Sequence, residues 1–304
     1  MGASRWDADT WATYSTTTAA KPASRIFTSK DIHEDLNPLN FTVRESRDSD
    51  ANPNSNAIIV GVDVTGSMGV IAEYFVKTGL GVLFNEILDR KPIPDPHLMV
   101  MAIGDAYFDD APLQVSQFEA DIKIADWLEK IYVEGGGGGN NSESYHLPLY
   151  AAAYATSIDC FEKRGKKGYL FTIGDEFTPP ALTREQIKNV IGDTTQTSLT
   201  YEQLLDAASR MYNVYHIIIA EGNCAKYQLT AVEDSWKKVL GQHAITLTDY
   251  KKLSEVIVSI IAINEGENPT TVAASWSGDT SLVVQKATKD LSKTGSTSSD
   301  LVVF

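Results

Sequence analysis

Five short apolar runs constrain the fold of this chain more than any other feature: AIIVGV (57–62), LMVMAI (98–103), YLFTI (169–173), VYHIIIA (214–220) and AITL (244–247). Each is continuous instead of alternating with polar residues, the pattern of a strand covered on both faces. Between them the spacing becomes helical. Ile71, Tyr74 and Phe75, then Leu80, Leu83, Phe84, Ile87 and Leu88, recur on one face, and Pro92 lies just beyond. Ile124, Trp127, Leu128 and Ile131 mark a second helix, and Tyr201, Leu204, Leu205, Ala208, Met211 and Tyr212 a third. A further helix is expected to begin near His146, and a last one follows Asp249 with Tyr250, Leu253, Ile257, Ile260 and Ile261 inward. Thr183 with Gln186, and Thr200 with Gln203, have the spacing of capping boxes.

Strand–helix–strand alternation predicts a parallel sheet with helices on both faces. One run differs. PLQVSQFEA (112–120) follows the second strand after the short loop GDAYFDDA, too short for a parallel crossover, so it is expected as an antiparallel edge strand. The fold class is therefore α/β: a doubly wound, mostly parallel six-stranded sheet with one antiparallel edge strand, over about residues 57–265.

The flanks read differently. Residues 1–56 are rich in turn formers, with Ile26, Phe27, Leu36, Leu39, Phe41 and Val43 as scattered apolar anchors, and are expected to form an extended arm. Residues 266–304 read as a polar tail holding two β-prone runs, SLVVQ and DLVVF. Arm and tail are the segments through which self-assembly is expected.

Acidic residues number 40 against 26 Lys and Arg, giving a formal net charge of −14. Such a chain repels phosphate backbones and anionic bilayers, so nucleic acid and membrane are not expected partners, whereas cations are favoured. Cys160 and Cys224 lack metal-site spacing, and two thiols in a chain of 304 residues suggest a reducing compartment. The opening MGASRWDADTW has no basic stretch followed by an apolar run. The expected location is cytoplasmic.

The first long strand ends unusually. In IIVGVDVTGSMGVI (58–71) an aspartate, two hydroxyl residues and two glycines separate the strand from the next helix. Ligands of open parallel sheets bind at the carboxyl ends of the strands. Asp63, Thr65 and Ser67 would there surround one point with hard oxygens, which suit Mg²⁺ above all, with Mn²⁺ or Ca²⁺ as alternatives. Asp175, in YLFTIGDEFTPP, should arrive from the neighbouring strand, and the loop EGGGGGNNSESYH (134–146) from another direction.

These stretches, taken together and in order, resemble the von Willebrand factor A (VWA) domain and its D-x-[ST]-x-S metal-ion-dependent adhesion site, in the bacterial or phage branch with D-x-T-G-S-M. The matching residues are Asp63 to Met68, the glycine run 135–139 with Glu143 and Ser144, and Ile173, Gly174 and Asp175 before Pro179 and Pro180. The resemblance covers about residues 57–265 and implies a Mg²⁺ held by Asp63, Thr65 and Ser67, with Asp175 in an outer shell. The family's middle ligand is usually Thr; here Asn141 stands in that place with Ser142 adjacent, and either is a candidate. The resemblance further implies a non-enzymatic module that binds a protein partner, through an acidic side chain at the metal's open position. Asp105, Asp109, Asp110 and Glu143 are expected on the rim of that site.

Rival chemistries find less support. A phosphotransferase strand ending in D-x-D-x-T would need a second aspartate where Thr65 stands. TGSMG approximates the G-x-S-x-G elbow of hydrolases, but no histidine follows the last strand. A Mg²⁺-dependent hydrolase or phosphotransferase in the same pocket is the first alternative. A structural assembly subunit contacting partners through its arm and tail is the second.

Overall fold

The computed structural model describes residues 4–134 and 142–292, the side chain of Ser67 excepted. The strands are β1 (Arg44–Ser46), β2 (Asn56–Asp63), β3 (Pro96–Ile103), β4 (Leu113–Val115), β5 (Thr156–Ile158), β6 (Gly168–Gly174), β7 (Tyr212–Ile219) and β8 (Ala244–Leu247). Six of them form one sheet in the order β4-β3-β2-β6-β7-β8, and β1 pairs with β5 in a small parallel ribbon. Within the large sheet every pairing is parallel except β3 with β4. This is the doubly wound α/β arrangement expected from the sequence, including the antiparallel edge strand.

The unbroken apolar runs have a direct physical cause. All eight residues of β2 are buried. Ile58, Val60 and Val62 point into one core, with residues of the helices Leu80–Arg90 and Leu253–Asn264. Ala57 and Ile59 point into the other, with residues of the helices His146–Tyr154, Tyr201–Ser209 and Asn223–Leu240. A central strand clad on both sides can carry no polar alternation. Both capping boxes form: Thr183 and Thr200 cap Gln186 N and Gln203 N, and the glutamine side chains return to the cap backbones.

Two expectations fail in the flanks. The N-terminal segment is not an extended arm throughout, because Ala8–Ala19 is a helix capped by Asp7. Its run of Thr and Ser has poor helical propensity, but tertiary packing overrides it. Trp6 stacks on Phe84 at 4.3 Å and donates from Nε1 to Asn85 Oδ1 at 2.8 Å. Trp11 fills the space over Gly81, where any Cβ would collide with its indole. In the tail, SLVVQ is helical within Asp279–Thr288, with Val284 fully buried. The preceding helix Pro269–Ala274 starts on an Asn268 cap with Pro269 in its first turn. The burial of Val284, Ala287 and Thr288 shows that the period is helical. The run DLVVF lies outside the described residues.

Cys160 and Cys224 are free and buried. Among the described residues no helix is long and apolar enough to cross a membrane.

Candidate functional site

Counting only the large sheet, strands leave β2 in both directions: first to β3, later to β6. The switch point therefore lies between the carboxyl ends of β2 and β6, where a crevice opens in folds of this kind. Val62 faces Ile173 in register, which brings Asp63 and the residues after Gly174 to the same edge.

Asp63 is completely buried. Its Oδ1 accepts from Thr65 N at 2.8 Å and from Thr65 Oγ1 at 2.6 Å, so the two residues form a closed local turn. Gly66, at φ 27°, then carries the chain through a bend that a side chain would strain. The second carboxylate oxygen, Oδ2, accepts from the Tyr145 hydroxyl at 2.9 Å. Tyr145 is itself buried, edge-on to His216 and Trp236 with centroids at 5.0 and 5.6 Å. It fits there because position 174 is glycine: a Cβ would fall closer than 3.0 Å to its hydroxyl, Cε1 and Cζ. Burial pushes the Asp63 carboxyl up to about 7, against the Thr65 and Tyr145 hydrogen bonds and with the charge of Asp175 adding to the rise.

Asp175 is buried and accepts from Cys224 N at 2.8 Å, capping the 18-residue helix Asn223–Leu240. Gly222 permits this approach, since a Cβ there would overlap the aspartate. Burial raises the Asp175 pKa despite these amide contacts.

The loop after β3 is tied by its own aspartates. Asp105 Oδ1 accepts from Tyr107 N at 2.9 Å, and Asp109 Oδ2 from Asp105 N at 2.7 Å. Ser144 N donates to Gly104 O at 3.1 Å and Ser144 Oγ accepts from Ala106 N at 2.9 Å, which fastens the segment before the His146 helix to this loop. The consequence corrects the picture of an acidic rim. Asp105 and Glu143, expected at the rim, are buried. Asp109 is partly buried, and only Asp110 is exposed, its amide donating to the Glu134 carboxylate at 3.0 Å.

Glu143 and Glu176 complete the cluster. Burial, then the charges of Asp63, Glu176, Asp105 and Asp109, push Glu143 up to about 9. Burial, then Asp63, Asp175 and Asp105, push Glu176 up to about 8. One oxygen of each, Oε2, is buried without a hydrogen-bond partner. Among the described residues, Asp63, Glu143, Asp175 and Glu176 have no basic side chain within ion-pair distance. Desolvated carboxylates without a counter-charge are costly, and an orphaned oxygen calls for an ion or water.

Of the residues proposed from the sequence, Asp63, Thr65, Ser142, Glu143, Asp105 and Asp175 gather at this end of the sheet. The Ser67 side chain and Asn141 lie outside the described residues. Tyr145 and Glu176 were not singled out. The tyrosine's only sequence signal is its position at the start of a helix that follows the glycine loop, and the glutamate's is its place beside Asp175. Among the described residues no three His, Cys, Asp or Glu side chains converge as a ready metal cage. The available donors are hard oxygens, hydroxyl as well as carboxylate, and they fit a small divalent cation that keeps part of its water shell.

Histidines lie near this edge, His216 packed on Tyr145 and His146 lining a groove with Asp105 and Glu143, but the hydroxyl contacts of His97 and His216 lie within the sheet. Ser46 Oγ lies 3.1 Å from His97 Nδ1, and Thr172 Oγ1 lies 2.8 Å from His216 Nδ1. All four side chains are buried in strands, as sheet hydrogen bonds would have them.

No protein-family model matches the chain, and no curated protein matches it. Solved structures do. The pilus adhesin SpaC from Lactobacillus rhamnosus GG, in its open conformation, aligns with a TM-score of 0.44 and 9% identity, over 73% of this chain and 31% of the adhesin. A second structure of that adhesin gives 0.44 and 10%, over 73% and 32%. A von Willebrand factor type A protein from Catenulispora acidiphila gives 0.36 and 14%, over 71% and 44%. This chain thus spans about a third of the adhesin's length. Likenesses this distant say nothing of what the chain binds.

Proposed function

We propose that the chain is a VWA-like protein-interaction module whose binding face is the carboxyl edge of β2 and β6, and that a divalent cation, Mg²⁺ first, belongs there. The observation that carries this reading is the set of carboxylates Asp63, Asp175 and Glu176 at the switch point, the two aspartates buried and Glu176 with a buried, orphaned oxygen, and no basic counter-charge among the described residues. Asp63, Thr65 and Ser67 are the proposed holders, with Asn141 or Ser142 as the donor from the glycine loop and Asp175 behind them.

The chain's own residues prepare that role. The Thr65 amide and the Tyr145 hydroxyl fix both oxygens of Asp63, so its position is set before any ligand arrives. The Asn223–Leu240 helix holds Asp175 by the Cys224 amide. A bound Mg²⁺ would supply net positive charge and an open position for a partner's carboxylate. Such a module would bind without turnover, its Asp63 carboxylate already held at both oxygens by Thr65 and Tyr145.

Calorimetry and thermal unfolding with Mg²⁺ test the reading. Saturable binding and a raised melting temperature are expected, both abolished by Asp63→Asn. At a hundredfold excess over Kd the stabilisation would be about 2.7 kcal/mol. An unchanged melting temperature at millimolar Mg²⁺ would sink the proposal.

A further inference from the structure

Beside the carboxylate cluster lies an open groove of about 380 Å³ that shares only Ser142 with the proposed metal holders. One wall is Tyr107 and Phe108, whose side chains are 56% and 62% exposed. Pro179, Pro180 and His146, the last kept neutral by burial, also line it. Among the described residues neither aromatic ring stacks on another, yet both are held out by a tightly bonded turn: Asp105 accepts from Tyr107 N through its carboxylate, and from Phe108 N and Asp109 N through its carbonyl at 3.3 and 2.9 Å. Two adjacent large rings presented by a braced loop form an exposed aromatic surface beside the groove. Glu143 also lines the groove; it is 2% exposed, and its Oε2 has no hydrogen-bond partner.

We propose that this groove receives a basic side chain of the protein partner, arginine above all, with Glu143 as its counter-charge and the Tyr107 and Phe108 rings against its flat face. Charge complementarity selects the occupant: the chain carries −14 overall, Asp105 and Glu143 line the groove, and a guanidinium beside Glu143, which has no cation near it among the described residues, would favour the ionised carboxylate that burial opposes. A bare metal ion would use the groove's oxygens, from Asp105, Ser142, Glu143 and Ser144, but would leave the exposed Tyr107 and Phe108 rings without a role. A guanidinium matches both features, since it forms charge-assisted bonds to a carboxylate and stacks on aromatic faces. The proposal rests on the reading of this edge as a protein-binding face. It adds that the partner's contact segment is bipolar, with a basic residue beside the acidic one.

The probe is N-acetyl-arginine amide, titrated into the full chain in EDTA, with N-acetyl-citrulline amide as the uncharged counterpart. Shifts of selectively labelled tyrosine and phenylalanine rings report the site. Saturable shifts at Tyr107 and Phe108 are expected for the arginine probe alone. Glu143→Gln should weaken binding at least ~tenfold, and Phe108→Ala, a change at an exposed side chain, should weaken it without threatening the fold. An equal response to citrulline, undiminished binding in Glu143→Gln, or no saturable shift would overturn the proposal. So would Mg²⁺ that competes with the probe and loses its own affinity in Glu143→Gln, for Glu143 would then belong to the metal. Because the titration runs in chelator, the metal reading can fail in its own Mg²⁺ assay while this result stands.

Discussion

Replacing Gly174 by alanine should damage the site from a position that contacts no ligand. The new Cβ would lie closer than 3.0 Å to the hydroxyl, Cε1 and Cζ of Tyr145. That ring cannot swing aside cheaply, because it is fully buried and packed edge-on against His216 and Trp236. Overpacking of this kind costs about 1–3 kcal/mol. Displacing the ring also breaks the 2.9 Å bond to Asp63 Oδ2. Leaving that buried oxygen unsatisfied costs about another 1–3 kcal/mol. The sum is a loss of about 2–6 kcal/mol, read by urea unfolding with linear extrapolation. Tyr145→Phe separates the two parts. Alone it should cost only the hydrogen-bond share, and combined with Gly174→Ala it should cost less than the two single losses added, because the hydroxyl in the clash has gone. A Gly174→Ala protein within about 0.5 kcal/mol of the parent, or strict additivity of the pair, would refute the idea that this glycine exists to seat the tyrosine under Asp63.

Other perturbations test other parts of the molecule. Gly81→Ala should eject Trp11 from its seat, and limited proteolysis would then cut within Ala8–Ala19 faster than in the parent; equal cutting rates would contradict the packing described. Arg47→Met should cost about 1–3 kcal/mol, since Arg47 bridges the buried Asp159 at 2.8 Å and Glu162 at 2.6 Å; Lys163, 2.6 Å from Asp159, limits the loss. Acid acts on the fold with opposing signs: Asp63, Glu143 and Glu176, raised by burial, favour the fold as pH falls, whereas two other sets of groups weaken it. Burial drives His97 down to about 4 from 6.5, so its contribution is present above pH 6.5 and lost as pH falls toward 4, about 3 kcal/mol in all. Asp48, opposed by burial but held low by Arg164 and Ser55, and Asp159, opposed by burial but held low by Lys163, the Asp48 amide and Arg47, contribute above their unfolded values near 3.8 and lose it below. The His97 share is the difference in urea stability between the parent and His97→Gln, which should shrink as pH falls from 6.5 to 4, whatever the buried carboxyls do in both proteins.

What could be read from the sequence follows from how local each cause is. The five apolar runs became strands because burial on both faces is a property of the run itself. The bond from Thr65 to Asp63 spans two residues, so the turn could be recognised from its letters. The Ala8–Ala19 helix could not, because its stability comes from Phe84, Asn85 and Gly81, far along the chain. SLVVQ misled because three apolar residues fit a strand or one face of a helix equally well, and only packing decides. Glu143 was expected at the rim but is buried, because Ser144 pins its segment to Gly104. Tyr145 stands 82 residues from the carboxylate it supports, a separation at which no spacing rule operates.

The flanking helices have a practical consequence for anyone who would trim this protein to its sheet. Trp6 and Trp11 cover the helix Leu80–Arg90, and Trp276 donates to Ser259 at 2.8 Å while Arg90 lies 3.5 Å over its ring. A fragment cut to residues 57–265 would lose three indoles from one face and lay bare the side chains beneath them. Such a fragment should be prone to self-association in solution, and binding measured with it would reflect a damaged scaffold, not the recognition edge.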